Sequence, residues 1–148
     1  MTDLRPLLPA DAALALPALR QLRPHSAVTV SADELAASLS TVQAEGYRLI
    51  GAFEPGRTEA VAVAGFRTLT MLAFGRVLYV DDLSTLPDAR GRGHARALLA
   101  WLEDEARRLG CAGLHLDSGV GESRFRAHRL YLASGLNITA HHFEKRLT

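Results

Sequence analysis

The chain has 148 residues, with 17 Lys or Arg against 16 Asp or Glu and a formal charge of +1, the size of one domain that can bury its own core. So even a balance gives no basis for general binding to duplex DNA, which calls for a strongly basic face. No apolar run reaches a membrane span and no leader pattern opens the chain, and the single cysteine, Cys111, can neither close an internal disulfide nor join a zinc-binding Cys/His cluster. The expectation is one soluble, cytoplasmic domain over residues 1–148, held by packing.

Leu4 to Leu8 predicts a short first strand ended by Pro9. An Ala- and Leu-rich helix follows from Ala10-Asp11 toward Leu22, with a kink or break expected at Pro17, which lacks an N–H for the helix ladder. Ser31 and Glu34 have capping-box spacing, and Leu35, Leu39 and Val42 recur at helical intervals up to Gly46, predicting a second helix. Tyr47 to Glu54 and Glu59 to Thr70 are rich in β-branched, aromatic and small apolar residues, and Pro55-Gly56 between them marks a turn, so they read as an antiparallel hairpin. Gly75 to Thr85 is a further strand whose apolar run is interrupted by Asp81 and Asp82; a regular strand points these two to opposite sides. Beyond the glycine-rich run Leu86 to Ala95, the residues Ala95, Leu98, Leu99, Leu102, Ala106 and Leu109 share one helical face, and Gly110 closes that helix. Gly113 to Asp117 predicts a strand, Arg124 to Ala133 a shorter helix stopped at Ser134-Gly135, and Asn137 to Leu147 one or two final strands. The order is that of a mixed α/β domain.

The run from Leu86 to Ala95 suits an anion. Gly91 and Gly93 accept positive φ and allow close backbone approach, while the helix that follows turns free N–H groups and its positive end toward the bound charge. Arg90, Arg92 and Arg96 add positive charge. Alone, such a turn often only reverses the chain, and the Lys-Ser/Thr ending of an ATP-binding loop is absent where His94-Ala95 stand.

Three segments together carry a resemblance: Tyr79-Val80-Asp81-Asp82-Leu83-Ser84-Thr85, then Arg90-x-x-Gly93-x-Ala95, then Ala127-x-x-x-Tyr131-x-x-x-Gly135. They resemble the GNAT superfamily of N-acetyltransferases, in element order over nearly the whole chain and in motifs from Gly75 to Gly135. The resemblance implies a mixed, mostly antiparallel central sheet splayed in its middle, with helices on both faces. It also implies transfer of an acetyl group from acetyl-CoA to a primary amine, directly and in a ternary complex, without a metal. Under it, the anion is the pyrophosphate of acetyl-CoA, held along Arg90, Gly91, Arg92, Gly93, His94, Ala95 and Arg96. The pantetheine arm pairs with the strand edge at Leu83, Ser84 and Thr85, and a bulge near Asp82-Leu83 aims the Leu83 N–H at the thioester oxygen.

An alkyl ammonium with a pKa of roughly 10.4 must lose a proton before it attacks, and the thiolate leaving group, from a thiol of about 8.5, gains one. By the same resemblance Asp81 stands where the family carries an acid that takes the amine proton directly or through water, with Asp82 the second candidate. Tyr131 stands where the family places its general-acid tyrosine. Arg124 replaces an asparagine that in many members contacts pantetheine; with Arg126 and Arg129 it is read either as a contact to the coenzyme phosphates or as part of a solvated face.

Other polar residues carry less. His115, alternating with leucines, is read first as structural and second as a base. His128 is read as packing or a coenzyme contact, and Cys111 as a small buried residue. His141 and His142 point apart on a strand and lack a third ligand, so no metal is expected. By resemblance the acceptor side draws on the first two helices, the strand of Asp81 and the C-terminal strands, with His25, Ser26, Arg67 and Phe143. A small-molecule amine is expected there, with a protein amine left open, and the acidic pair favours a cationic acceptor. No nucleic acid or membrane partner is expected, while a homodimer through the C-terminal strands stays open. The alternative reading is an acetyl-CoA-binding sensor or assembly module with little catalysis.

Overall fold

A computed structural model describes residues 2–148. The chain divides into two compact units, Met1–Leu116 and Asp117–Thr148. The first unit holds β1 (Asp3–Leu7), α1 (Ala12–Leu22), α2 (Ala32–Ala44), β2 (Arg48–Phe53), β3 (Ala62–Met71), β4 (Gly75–Thr85), α3 (His94–Arg108) and β5 (Gly113–Leu116). Its five strands lie in the order β1-β2-β3-β4-β5. The first four pair antiparallel and β5 runs parallel to β4, giving the expected mixed, mostly antiparallel sheet.

Residues opposite each other on a ladder share a face. Leu49 pairs with Gly65 and Gly51 with Val63; Leu49, Val63 and Phe53 join Ala15, Ala18 and Leu19 of α1 and Leu35 and Leu39 of α2 in one buried cluster. On the other face Ile50 pairs with Ala64 and Arg48 with Phe66, and the Phe66 ring meets Trp101 of α3 edge-on at 5.7 Å. Helices therefore cover both faces. The Ser31 hydroxyl caps α2 by accepting the Glu34 N–H at 3.2 Å, as its spacing predicts.

Two local expectations give way to tertiary packing. Helix α1 does not break at Pro17: Ala12, Ala15, Ala18 and Leu19 are buried against the sheet, which offsets the one ladder bond that Pro17 cannot donate. The buried face of α3 contains an acid, Glu105, among the expected Leu98, Leu99, Leu102 and Ala106. Arg108 (2.9 and 2.5 Å) and Arg48 (2.7 Å) bind its carboxylate and hold it down at about 2.

Two features of β4 matter most for function. Gly65 pairs with Asp82 but Phe66 with Val80, so Asp81 is an extra residue in the strand and makes a bulge. The bulge thus sits at Asp81, slightly earlier than the expected Asp82-Leu83. In addition, β5 pairs with β4 only from Val77 to Val80. Along Asp81–Thr85 that edge of β4 has no neighbouring strand among the described residues, because β5 itself ends at Leu116.

In the second unit a short turn of 3-10 helix, Glu122–Arg124, leads into α4 (Phe125–Ala133). The strands expected between Asn137 and Leu147 do not form among the described residues. Ile138, Phe143 and Leu147 are exposed, with no ladder partner among the described residues to fix them. No described helix is long and apolar enough to cross a membrane.

Candidate active site

The bulge decides where the acidic pair points. With Asp81 as the extra residue, Asp82 falls opposite Gly65, and Asp81 reaches Arg67, two residues along the same face of β3. Arg67 donates to both Asp81 carboxylate oxygens, at 2.6 to 3.1 Å. The Tyr47 hydroxyl, just before β2, donates to Asp82 Oδ2 at 2.8 Å, and Arg23, just after α1, donates to Asp82 Oδ1 at 3.0 Å and to the Asp81 carbonyl at 3.1 Å. The two carboxylates therefore serve one face, the α1/α2 side, and not opposite faces as a regular strand requires. Nor are they a bare negative patch: two guanidinium groups offset their charge, which removes the electrostatic ground for favouring a cationic acceptor. Burial, followed by the Asp82 charge, pushes the Tyr47 phenol far above its ordinary value, so Tyr47 remains a donor.

Gly65 makes this arrangement possible. A Cβ there would lie 1.6 Å from the Tyr47 Oη. Gly65→Ala is expected to drive the ring off Asp82 and to destabilise the protein by about 2–3 kcal/mol, an overpacking effect readable as a lowered midpoint in urea. An unchanged midpoint would show that the ring repacks freely.

The donor-side residues lie on a single stretch. Leu83 and Thr85 are partly exposed, while Ser84 is buried and pairs with Val63 of β3, so its side chain is closed to a ligand at the strand edge. After the turn Pro87–Ala89, Gly91 and Gly93 take φ of 77° and 85°, the positive φ that their sequence led us to expect. Gly93 caps α3 without a side-chain hydrogen bond, leaving the first-turn N–H groups of His94, Ala95 and Arg96 unclaimed by a cap. Arg90, Gly91, Arg92, Gly93 and Arg96 are exposed, but His94 is buried. Arg92 donates to both oxygens of Glu54, at 2.9 and 2.7 Å, and His94 Nε2 lies 2.6 Å from Glu54 Oε1.

In the second unit Tyr131 is partly buried on α4. Burial raises its phenol above the ordinary value, with the Arg124 charge acting in the opposite sense. Arg124 is partly buried, whereas Arg126 and Arg129 are exposed. His128 donates from Nε2 to the Gly119 carbonyl at 2.8 Å and lies 3.1 Å from the Ser118 hydroxyl, so it ties down the preceding loop. His142 Nδ1 sits 3.0 Å from Asp117.

Elsewhere the weaker candidates take structural places. The His115 ring packs at 4.9 Å on Phe74, Ser26 caps the turn Ala27–Thr29, His25 is exposed, and Cys111 is partly exposed and not buried. No group of His, Cys, Asp and Glu suited to a metal occurs among the described residues. Arg23, Tyr47 and Glu54 escaped the sequence reading; the one trace, of Tyr47 alone, is Gly65, a residue without a side chain in the middle of an apolar strand.

An open strand edge beside paired acids is followed by an uncapped helix start behind positive-φ glycines, features that suit an extended ligand with an anionic end. The chain matches the Acetyltransferase (GNAT) family over residues 15–136, and it belongs to that family. It is 32% identical over 105 residues to the uncharacterized N-acetyltransferase YhdJ of Bacillus subtilis, covering 70% of this chain and 71% of that one. It is 37% identical over 68 residues to the aminoalkylphosphonate N-acetyltransferase of Salmonella typhimurium, covering 46% and 43%. Its fold is shared with aminoglycoside N-acetyltransferase AAC(6')-Iy in complex with CoA, at a TM-score of 0.79 and 19% identity over 99% and 94% of the two chains. The protein is thus an N-acetyltransferase that uses acetyl-CoA.

Proposed function

We propose that the protein acetylates a primary amine of a small molecule by direct attack in a ternary complex, with the chemistry centred on the bulge of β4. The observation that carries this is the open edge of β4 from Asp81 to Thr85, which begins where two carboxylates turn to one face. Main-chain groups of Leu83 and Thr85, with Ser84 between them, pair with the pantetheine arm as an added strand would. The Leu83 N–H stabilises the oxyanion that develops as the amine attacks the thioester. The first N–H groups of α3 and the turn at Gly91 and Gly93 hold the pyrophosphate, with Arg90 and Arg96 adding charge.

Asp81 accepts the amine proton. Since Arg67 already binds both its oxygens, a bridging water is the natural carrier; Asp82, engaged by Tyr47 and Arg23, is the second acceptor. Tyr131 gives a proton to the departing thiolate, and burial, by disfavouring the phenolate, keeps it protonated for that step. Arg124 contacts the coenzyme from the turn before α4. A relative named for aminoalkylphosphonates supports a small amine as acceptor.

The test is thiol release from acetyl-CoA over a panel of aminophosphonates, amino acids, aminoglycosides and peptide N-termini. Turnover with a small amine and intersecting initial-rate lines are expected. Parallel lines with thiol release before amine is added would indicate an acetyl-enzyme and overturn direct transfer. Tight acetyl-CoA binding without turnover on any amine would favour a sensor module.

A further inference from the structure

We propose that Glu54 is a positioning residue of the donor loop: by gripping Arg92 and His94 on either side of Gly93, it fixes the turn from which α3 presents its first N–H groups. The inference rests on the reading of that turn as the pyrophosphate seat. Glu54 directly follows β2, whose last residue, Phe53, is buried and paired with Asp3 of β1, so its backbone is anchored. The loop it reaches is the opposite case. Arg92 stands between two positive-φ glycines, residues that lose the most conformational freedom when ordered, and its side chain is half exposed.

His94 shows what the contact is for. It is 7% exposed, and among the described residues Glu54 is the one hydrogen-bond partner of its ring, whose Nδ1 is buried without one. A ring this poorly satisfied is costly to bury, and its short contact with Glu54 pins the first residue of α3. His94 foremost, then Arg92, hold the Glu54 carboxyl below the usual carboxylate range, so it stays charged. One carboxylate thus fastens both flanks of the residue whose left-handed backbone starts the helix.

A different role for the same contacts makes the opposite forecast. If Glu54 merely cancelled the Arg92 charge, removing it would free a cation for the pyrophosphate and tighten donor binding. If it positions the loop, removing it weakens donor binding although a cation is freed.

The experiment compares wild type, Glu54→Ala and Glu54→Gln with acetyl-CoA and with S-acetylpantetheine, which lacks the pyrophosphate. Glu54→Ala is expected to raise KM for acetyl-CoA about tenfold, the scale of a lost charge-assisted contact, with kcat within about twofold and S-acetylpantetheine kinetics unchanged. Glu54→Gln still accepts from His94 but loses the ion pair, so it falls between; it also carries the test if the alanine variant does not fold. An unchanged or lowered KM for acetyl-CoA, an equal loss with both donors, or a fall in kcat at constant KM would overturn the inference. Wild type that does not prefer acetyl-CoA over S-acetylpantetheine would instead overturn the pyrophosphate seat itself, and the role of Glu54 with it.

Discussion

Asp81→Asn is expected to lower kcat by about two orders of magnitude near neutral pH, the low end of what a positioned proton acceptor contributes. The low end applies because Asp82 and bulk water offer alternative acceptors for the proton. The amide is isosteric and can still accept from Arg67, so the fold is barely touched; a partly exposed ion pair is worth about 1 kcal/mol or less, and the melting temperature serves as the control. The sign of the pH dependence follows from why a base is needed. An acceptor amine with a pKa of roughly 10.4 is almost wholly protonated at pH 7, and raising the pH supplies the free amine without help. The deficit of Asp81→Asn relative to wild type should therefore shrink as pH climbs toward 10. A kcat within about threefold of wild type at pH 7 would leave Asp81 as the anchor of Arg67 alone and move the proton to Asp82.

Tyr131→Phe is expected to cost about a hundredfold to a thousandfold in kcat, with KM for acetyl-CoA changed by less than about threefold, because the phenol matters only as the C–S bond breaks. Phenylalanine keeps the ring and its packing. Since burial raises the phenol above its ordinary value, the hydroxyl stays protonated through neutral pH, and the loss should be flat from about pH 6 to 9. A thioester whose thiol is more acidic needs less help in leaving, so the variant should lose less with such a donor. A raised KM at unchanged kcat would make Tyr131 a packing or binding residue.

Much of the scaffold was legible locally because its signals are local. The 3.6-residue recurrence of Leu98, Leu99, Leu102 and Ala106 specified α3 and its buried face, and the apolar run from Val77 with its flanking glycine specified β4 from Gly75 to Thr85. Gly91 and Gly93 announced their positive φ by the company of a following helix. What stayed hidden depends on distant partners. The side on which Asp82 lies is set by the extra residue in β4 and by Tyr47 resting against Gly65, and strand parity cannot register either. Arg23 and Glu54 meet Asp82 and Arg92 across long stretches of chain, with no spacing to betray them. Pro17 was misread because its local cost is offset by burial elsewhere, and Asn137 to Leu147 because a strand needs a ladder partner as well as Ile138 and Phe143.

The central claim is that the donor lies along the free edge of β4 and against the start of α3. Amide hydrogen exchange on the protein with and without acetyl-CoA tests it most directly. Protection should rise at Leu83 and Thr85, through pairing with the pantetheine arm, and at His94, Ala95 and Arg96, through the pyrophosphate, while Ala62 to Phe66, already paired on both sides by β2 and β4, should change little. Saturating acetyl-CoA that leaves both segments exchanging as before, or protects a different part of the chain, would contradict the account.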